Sequence, residues 1–427
     1  MIGCARRTLL PSLPQTIHFI DVSPFGYVSN GRDNWLFNIA KRLSLHCEVY
    51  IHCAKPVNRQ EVYDISKLRM VGVKIIRYGF ADNNRIFSRA LNKLSYRIFY
   101  HVLSLFFAIR VFVSLWVTIK QGTIIFSMNP WFEEIPGLLL HRLNRGVSNV
   151  CLMKGKPAYE STNATPFLKR FFFALEKHFV THAQYLFSNA TDTKEYIISR
   201  YGRVTGIIKN GVDVGRFRLP ENQPMNDGKT MFENLKNGGA KIIVFVGTLN
   251  WRKGIEFILN LPHYLDKVYH EKYVIVLIGK GRPDIYFKSL DDSRIHKIFY
   301  FLGEQRDIPF FYHRADVSLH LTYSQTGMGG TSHATLEALG SGCPVVAWDN
   351  RTYNQFLTSG QDAMLVPEGE MEALAGAVRD IIANEELSAT LSNNGMKTAQ
   401  LYDWEIVTRE LLAIIDDLHK DKMTYEN

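Results

Sequence analysis

Eleven short apolar runs, each followed by a stretch of helical periodicity, recur along this 427-residue chain and confine it to parallel β-sheets covered by helices. The first half contains TIHFIDV (16–22), HCEVYIHCA (46–54), GVKIIRYG (72–79), TIIFSMN (123–129), SNVCLMKG (148–155) and YLFSN (185–189). The second half repeats the scheme with AKIIVFVGT (240–248), YVIVLIGKG (273–281), HKIFYFLG (296–303), DVSLHLT (316–322) and CPVVAWD (343–349). Between the sets, LPENQPMNDGKTMFENLKNGG (219–239) is polar, carries Pro, Asn and Gly, and sustains no period, so it reads as a linker. The expected architecture is α/β: two Rossmann-like parallel-sheet domains facing a cleft, over 1–218 and 240–403. The stretch 404–420 spaces its apolar residues at three and four, as a terminal helix does. Ligands of such sheets lie beyond the carboxyl ends of the strands.

Charge separates the halves. Residues 1–200 hold 26 Lys/Arg against 12 Asp/Glu, a net +14, while residues 201–427 hold 24 against 29, a net −5. The basic half is suited to something anionic: a membrane surface, a phosphorylated substrate or nucleic acid. No Lys/Arg run interleaved with aromatics and no nucleic-acid-binding motif appears, which argues against the last. Cys4, Cys47, Cys53, Cys151 and Cys343 lack CxxC spacing, so neither a zinc site nor a disulfide framework is expected, in keeping with a reducing cytoplasm. The opening MIGCARRTLLPSLPQ has no apolar stretch of signal-peptide length, so the expectation is a chain that is not exported. Residues 98–119 are almost continuously apolar and approach the length of a bilayer span, but Arg110 interrupts them. Upstream, Arg85, Arg89, Lys93 and Arg97 recur every four residues, on one face of a helix. Two readings stay open: an interfacial membrane contact, or a helix buried on the first sheet.

The chemistry-bearing residues cluster in the second half. The run VGTLNWRKG (246–254) ends in a glycine turn, Gly247 and Thr248, followed by Arg252 and Lys253 at the sheet's carboxyl edge. Gly329, Gly330, Thr331, Ser332 and His333 then open a helix, where small residues let a phosphate approach free N–H groups and the positive end of the helix dipole. Glu337, further along that helix, is placed to accept both hydroxyls of a ribose.

These motifs, with LIGKG (277–281), FLGEQRD (301–307), NGRDNWLFNIAKRL (30–43), KNGVDVGRF (209–217) and SGQDAMLVPEGEMEALAGAV (359–378), resemble glycosyltransferase family 4, retaining enzymes of the GT-B fold. The resemblance implies a nucleotide-sugar donor on the second domain, an acceptor on the first, a final helix that returns to the first domain, and no metal or other cofactor. It assigns Lys253 to the donor diphosphate, the backbone of Gly330–His333 to the phosphates, Glu337 to the ribose, Arg306 to the neighbourhood of the base, and Gly31 to the acceptor-domain loop.

Three departures stand out. Thr248 replaces the phosphate arginine, with Arg252 offered as compensation. The first of the paired glutamates, eight residues before Glu337, is Gly329; counted forward from ADVSLHL the position is Gln325. The acceptor-domain histidine is Lys154, either a solvated loop lysine or a cation steadying phosphate or acceptor charge. Asp33 either acts beside Lys154 or caps its helix, and Glu133 and Glu134 are candidates for acceptor hydroxyls. The implied function is a cytoplasmic glycosyltransferase, peripheral on an anionic membrane, acting on a lipid-linked glycan in surface polysaccharide or lipopolysaccharide assembly. The alternatives are a non-catalytic GT-B subunit and, further off, an epimerase or phosphorylase.

Overall fold

The computed structural model describes residues 14–23, 25, 31–55, 64–79, 93–129, 131–155, 166–218, 224–282, 295–324 and 331–425. The chain divides into two compact units, one of Met1–Lys209 with Glu405–Asn427 and one of Asn210–Trp404. The first holds a seven-stranded parallel sheet: β1 (Thr16–Asp21), β2 (Glu48–Ala54), β3 (Lys74–Tyr78), β4 (Ile124–Ser127), β5 (Ser148–Met153), β6 (Tyr185–Ser188) and β7 (Gly206–Ile207), in the order β3-β2-β1-β4-β5-β6-β7. The second holds a six-stranded parallel sheet: β8 (Lys241–Val246), β9 (Tyr273–Ile278), β10 (Phe299–Gly303), β11 (Val317–His320), β12 (Val345–Asp349) and β13 (Met364–Pro367), in the order β10-β9-β8-β11-β12-β13.

Every residue of β1, β4, β5, β9 and β11 is buried, as strands covered by helices on both faces must be. Each sheet reverses its winding once, at β1/β4 and at β8/β11, so each has one crevice at its carboxyl edge. Every apolar run read as a strand contains one. β10 begins at Phe299 because Ile295–Ile298 form a helical turn, and the short β7 and β13 are additional.

The stretch read as a linker requires correction. Asp227–Asn237 is a helix, capped by the Asn226 side chain, which accepts from the Lys229 N–H. Phe232 is fully buried and meets Phe311 edge-on. The helix is polar overall, and its few apolar residues are flanked by Pro, Asn and Gly, which is why the stretch reads as a linker. The boundary lies at Lys209/Asn210, ahead of the expected 218. Val212 and Trp404 explain it: the Val212 N–H donates to the Tyr402 carbonyl, and the Trp404 N–H donates back to the Val212 carbonyl. Trp404 lies so close over Gly211 that a Cβ there would come within 2.5 Å of its ring.

Residues Lys93–Thr118 form one 26-residue helix. Its inner face, with Phe107, Val111 and Leu115, packs on Ile20, Ile125, Leu140 and Val147 of the first sheet's layer. Its outer face presents Val102, Phe106, Ile109, Val113 and Val117 to solvent, the last 80% exposed. No helix among the described residues is long and apolar enough to cross a membrane.

Candidate functional site

Each carboxyl edge carries its own cluster of polar side chains. In the second unit β8 runs into Gly247 and Thr248, which is exposed, and then a single 3-10 turn, Trp251–Lys253. The Asn250 side chain caps that turn by accepting from the Lys253 N–H. Gly254 closes it at φ 71°, and a Cβ there would stand 2.4 Å from the Leu321 carbonyl oxygen, so only glycine brings the turn this close to the end of β11. The Lys253 ammonium thereby reaches the crevice, where it donates to Thr322 Oγ1 at 3.3 Å, and burial pushes its pKa down to about 8. Arg252 is held over the Trp251 ring, 5.6 Å from its centroid.

Beneath the lysine, His320 is fixed by two hydroxyls, Ser318 Oγ at 2.9 Å and Thr335 Oγ1 at 3.0 Å. Burial, with the Lys253 charge second, lowers its pKa to about 3, so it remains a neutral strut between β11 and the helix His333–Gly340. That helix is capped by Ser332, whose side chain accepts from the Thr335 N–H. Ahead of it the Thr331 carbonyl accepts from Asn210 Nδ2 at 2.8 Å. Gly329 and Gly330, with the alternative Gln325, lie outside the described residues.

His333 bonds through Nδ1 to the Gly211 carbonyl at 3.1 Å and packs on Trp404, 6.0 Å between ring centroids. Its ring is thus committed to the fold, leaving its backbone as the part expected at a phosphate. Glu337 has its pKa pushed up to about 7 by burial, with Arg216 pulling it back. Arg216 also donates Nη2 to the Arg306 carbonyl at 3.1 Å. One guanidinium therefore ties the Arg306 loop to the carboxylate read as the ribose ligand. The loop is anchored again by Asp307, which pairs with Lys229 at 2.6 Å in a nearly fully buried bridge.

In the first unit Asp21, at the end of β1, is fully buried; it accepts from the Ser23 N–H and pairs with Arg32 Nε at 3.1 Å. Gly31 is the first residue of the helix Gly31–Leu43, and Asp33 is buried in its first turn. Lys154 follows β5. Its Nζ stands 4.1 Å from the centre of the Trp35 ring and has no hydrogen-bond partner among the described residues. Burial lowers its pKa well below the usual lysine range; Arg32 adds to the shift, and Asp21 and Asp33 oppose it. Glu133 is pushed up to about 7 by burial and then by Asp21, with Arg32 working against the shift.

Lys154, Asp33 and Glu133 thus meet at one edge. Glu134 does not: it is fully buried and bonded to Ser127 and Asn149, so its expected part in acceptor binding is corrected to a structural one. Both glutamates are buried, but Glu133, ahead of the helix, lies near Asp21 and Arg32, whereas Glu134, inside it, is taken up by Ser127 and Asn149. Sequence reading overlooked Asp21, Arg32 and Arg216. The first two stand beside positions it did single out, and Arg216 lies inside the quoted KNGVDVGRF segment.

Residues 226–398 match the family model described as Glycosyl transferases group 1. A phosphatidyl-myo-inositol mannosyltransferase of Mycobacterium leprae is 27% identical over 183 residues, 42% of this chain and 46% of that protein. The lipopolysaccharide core biosynthesis mannosyltransferase LpcC of Rhizobium leguminosarum bv. viciae is 26% identical over 204 residues, 45% of this chain and 53% of that protein. The chain spans about half the length of these curated relatives. Among solved structures, HepE of Anabaena in complex with UDP superposes with a TM-score of 0.70 at 15% identity, covering 94% of this chain and 100% of that one. WaaG, a glycosyltransferase involved in lipopolysaccharide biosynthesis, gives 0.66 at 14% identity, covering 93% and 99%. The two units have the GT-B type of fold, and residues 226–398 form a glycosyl transferases group 1 domain.

Proposed function

We propose that this chain, a GT-B protein whose second unit carries a glycosyl transferases group 1 domain, transfers a hexose from a nucleoside-diphosphate sugar to a glycan hydroxyl with retention of configuration. The observation that carries the reading is the set of groups at the β8/β11 crevice: the Lys253 ammonium, the opening of the helix His333–Gly340, and Glu337 within it. Breaking the bond from the anomeric carbon leaves charge on the departing diphosphate. Groups fixed in advance around that charge stabilise the transition state more than the intact donor. Lys253 supplies a cation, the free N–H groups at the helix start supply dipoles, and Arg252 adds a second cation in place of the one lost at Thr248. Glu337 accepts the ribose hydroxyls as a carboxylate, a form that Arg216 favours.

The first unit takes the acceptor. Lys154 is the free donor of that cluster among the described residues, placed to hold an acceptor hydroxyl and steady the charge that develops on it. Asp33 and Asp21 hold the amine toward its protonated form, and Glu133 adds an acceptor for a second hydroxyl. No metal takes part, so transfer persists in EDTA.

The acceptor is lipid-linked. The outer face of the helix Lys93–Thr118 offers the apolar side of an interfacial contact, and the basic excess of residues 1–200 offers the electrostatic side. The setting is surface polysaccharide or lipopolysaccharide assembly on the inner face of the cytoplasmic membrane. The mannosyltransferases among the relatives lean the transferred sugar toward mannose, and HepE in complex with UDP offers a uridine nucleotide as one carrier. Thermal unfolding of the full chain against a panel of nucleotide sugars tests the reading, because a ligand of the folded state raises the midpoint by mass action. One or more donors should raise it, and the anomeric configuration of the product should match the donor's. A flat panel, or an inverted product, rejects the function.

A further inference from the structure

A carboxylate stands at the carboxyl edge of the second sheet, inside the quoted segment 359–378 but without a role assigned to it there. β11, β12 and β13 lie side by side and parallel, so their ends deliver Thr322–Ser324, Asn350 and Glu368 to one place. Asn350 Nδ2 donates to the Thr322 carbonyl at 3.1 Å and to Glu368 Oε2 at 2.7 Å. The Ser324 N–H donates to the same oxygen at 3.0 Å, and Ser324 Oγ donates to Glu368 Oε1 at 2.9 Å. Thr322 is also the residue whose hydroxyl receives the Lys253 ammonium. The Glu368 carboxylate is therefore two residues, Asn350 and Thr322, and three hydrogen bonds away from the cation assigned to the diphosphate.

An ionised carboxylate accepts about four hydrogen bonds. The described residues occupy three, two on Oε2 and one on Oε1, which leaves Oε1 able to accept another from a ligand. Glu368 is only partly buried, so that capacity is reachable. The Ser324 hydroxyl, donating to Glu368, keeps its own lone pairs for a second contact. The turn that carries Lys253 runs alongside: the Tyr323 N–H donates to the Arg252 carbonyl at 3.3 Å. A pre-oriented carboxylate and hydroxyl together are the chemistry that binds a polyol.

We propose that Glu368 reads the hydroxyls of the donor's hexose, supplying the carboxylate that neither Gln325 nor Gly329 provides, with Ser324 and Asn350 holding it in position. The assignment rests on the nucleotide-sugar reading above and names the sugar-side contact of that site. A carboxylate that only secured the loop after β11 would act on the whole nucleotide site rather than on the sugar.

The test is calorimetric titration of the full chain and of its Glu368→Gln and Glu368→Ala variants with two pairs of probes, UDP with UDP-glucose and GDP with GDP-mannose. In the pair that the unaltered chain binds, the hexose should add affinity. Both variants should bind the bare diphosphate within about twofold of the unaltered chain and lose about tenfold for the nucleotide sugar, the worth of one hydrogen bond to a charged group. Thermal unfolding of each variant checks that it is folded, and the Gln variant keeps the side chain's shape. Equal losses for diphosphate and nucleotide sugar would make Glu368 a loop clamp and overturn the proposal. So would unchanged affinity for both, or no added affinity from the hexose in the unaltered chain. Failure of the unaltered chain to bind any of the four probes would instead reject the donor site, and this proposal with it.

Discussion

The two carboxyl-edge clusters arise from the same construction, a parallel sheet that reverses its winding once, yet they hold opposite chemical resources. In the second unit the lysine is hydrogen-bonded to Thr322, braced from below by a neutral histidine, and accompanied by the start of a helix. In the first unit the lysine has no hydrogen-bond partner among the described residues, rests on Trp35, and has Asp21, Asp33 and Glu133 around it. Topology chooses where a site stands; the charges delivered there choose its ligand. The second inventory suits a diphosphate with a ribose, and the first suits hydroxyls.

The comparison breaks most readily at the lysines. Lys253→Ala should lower kcat/KM for transfer by about 10²–10³-fold, the usual effect of removing one fixed donor from a developing negative charge. Lys154→Ala should cost less, on the order of 10²-fold in kcat, with nucleotide affinity unchanged. If Lys154→Ala lost nucleotide affinity as strongly as Lys253→Ala, the division of labour between the clusters would be wrong.

The pH dependence of nucleotide binding sharpens the contrast. Glu337, raised to about 7, must lose its proton to accept the ribose, so affinity should rise as pH passes upward through about 7. Lys253, lowered to about 8, must keep its proton, so affinity should fall above about 8. The profile is a narrow bell, and Glu337→Gln should abolish its acid limb while sparing the alkaline one. The sign for stability is opposite. A carboxyl whose folded pKa is raised stabilises the fold below its unfolded value and loses that contribution as pH climbs to about 7. Glu337→Gln should therefore raise the unfolding midpoint more at pH 8 than at pH 5.

The smallest effect concerns the outer face of the helix Lys93–Thr118. Replacing Phe106, Val113 and Val117 by serine should reduce co-sedimentation with anionic vesicles several-fold and leave bulk-solution nucleotide affinity alone. The fourfold substitution of Arg85, Arg89, Lys93 and Arg97 should weaken the same binding and flatten its salt dependence. Unaltered co-sedimentation in both cases removes the membrane contact.

Strand positions were legible because a strand buried on both faces needs an unbroken apolar run, and every run in the sequence supplied one. β7 escaped because two residues carry no pattern, and β13 because its edge position leaves it only partly buried, with a short apolar run. The helix Asp227–Asn237 reads as a linker in sequence because it is polar overall and set among Pro, Asn and Gly, while Phe232 and the buried Lys229–Asp307 pair anchor it to the fold. Lys253, Lys154 and Glu337 were legible through local motifs. The side chains that set their charge were not. Arg216 is 121 positions from Glu337, and Glu368 is 44 from Ser324. Such groups come near one another because the fold brings helices and strand ends that are distant in sequence together, which a linear pattern does not record. Glu134 is the reverse case, indistinguishable from Glu133 in sequence and separated from it by the partners each meets, Ser127 and Asn149 for Glu134, Asp21 and Arg32 for Glu133.

The most direct test is calorimetric titration of UDP and GDP into the full chain and into its Lys253→Ala variant, at pH 7.5 and without divalent metal. A nucleoside-diphosphate site built on Lys253 predicts saturable binding of one of the two, weakened at least tenfold in the variant. Undiminished binding by the variant would contradict it.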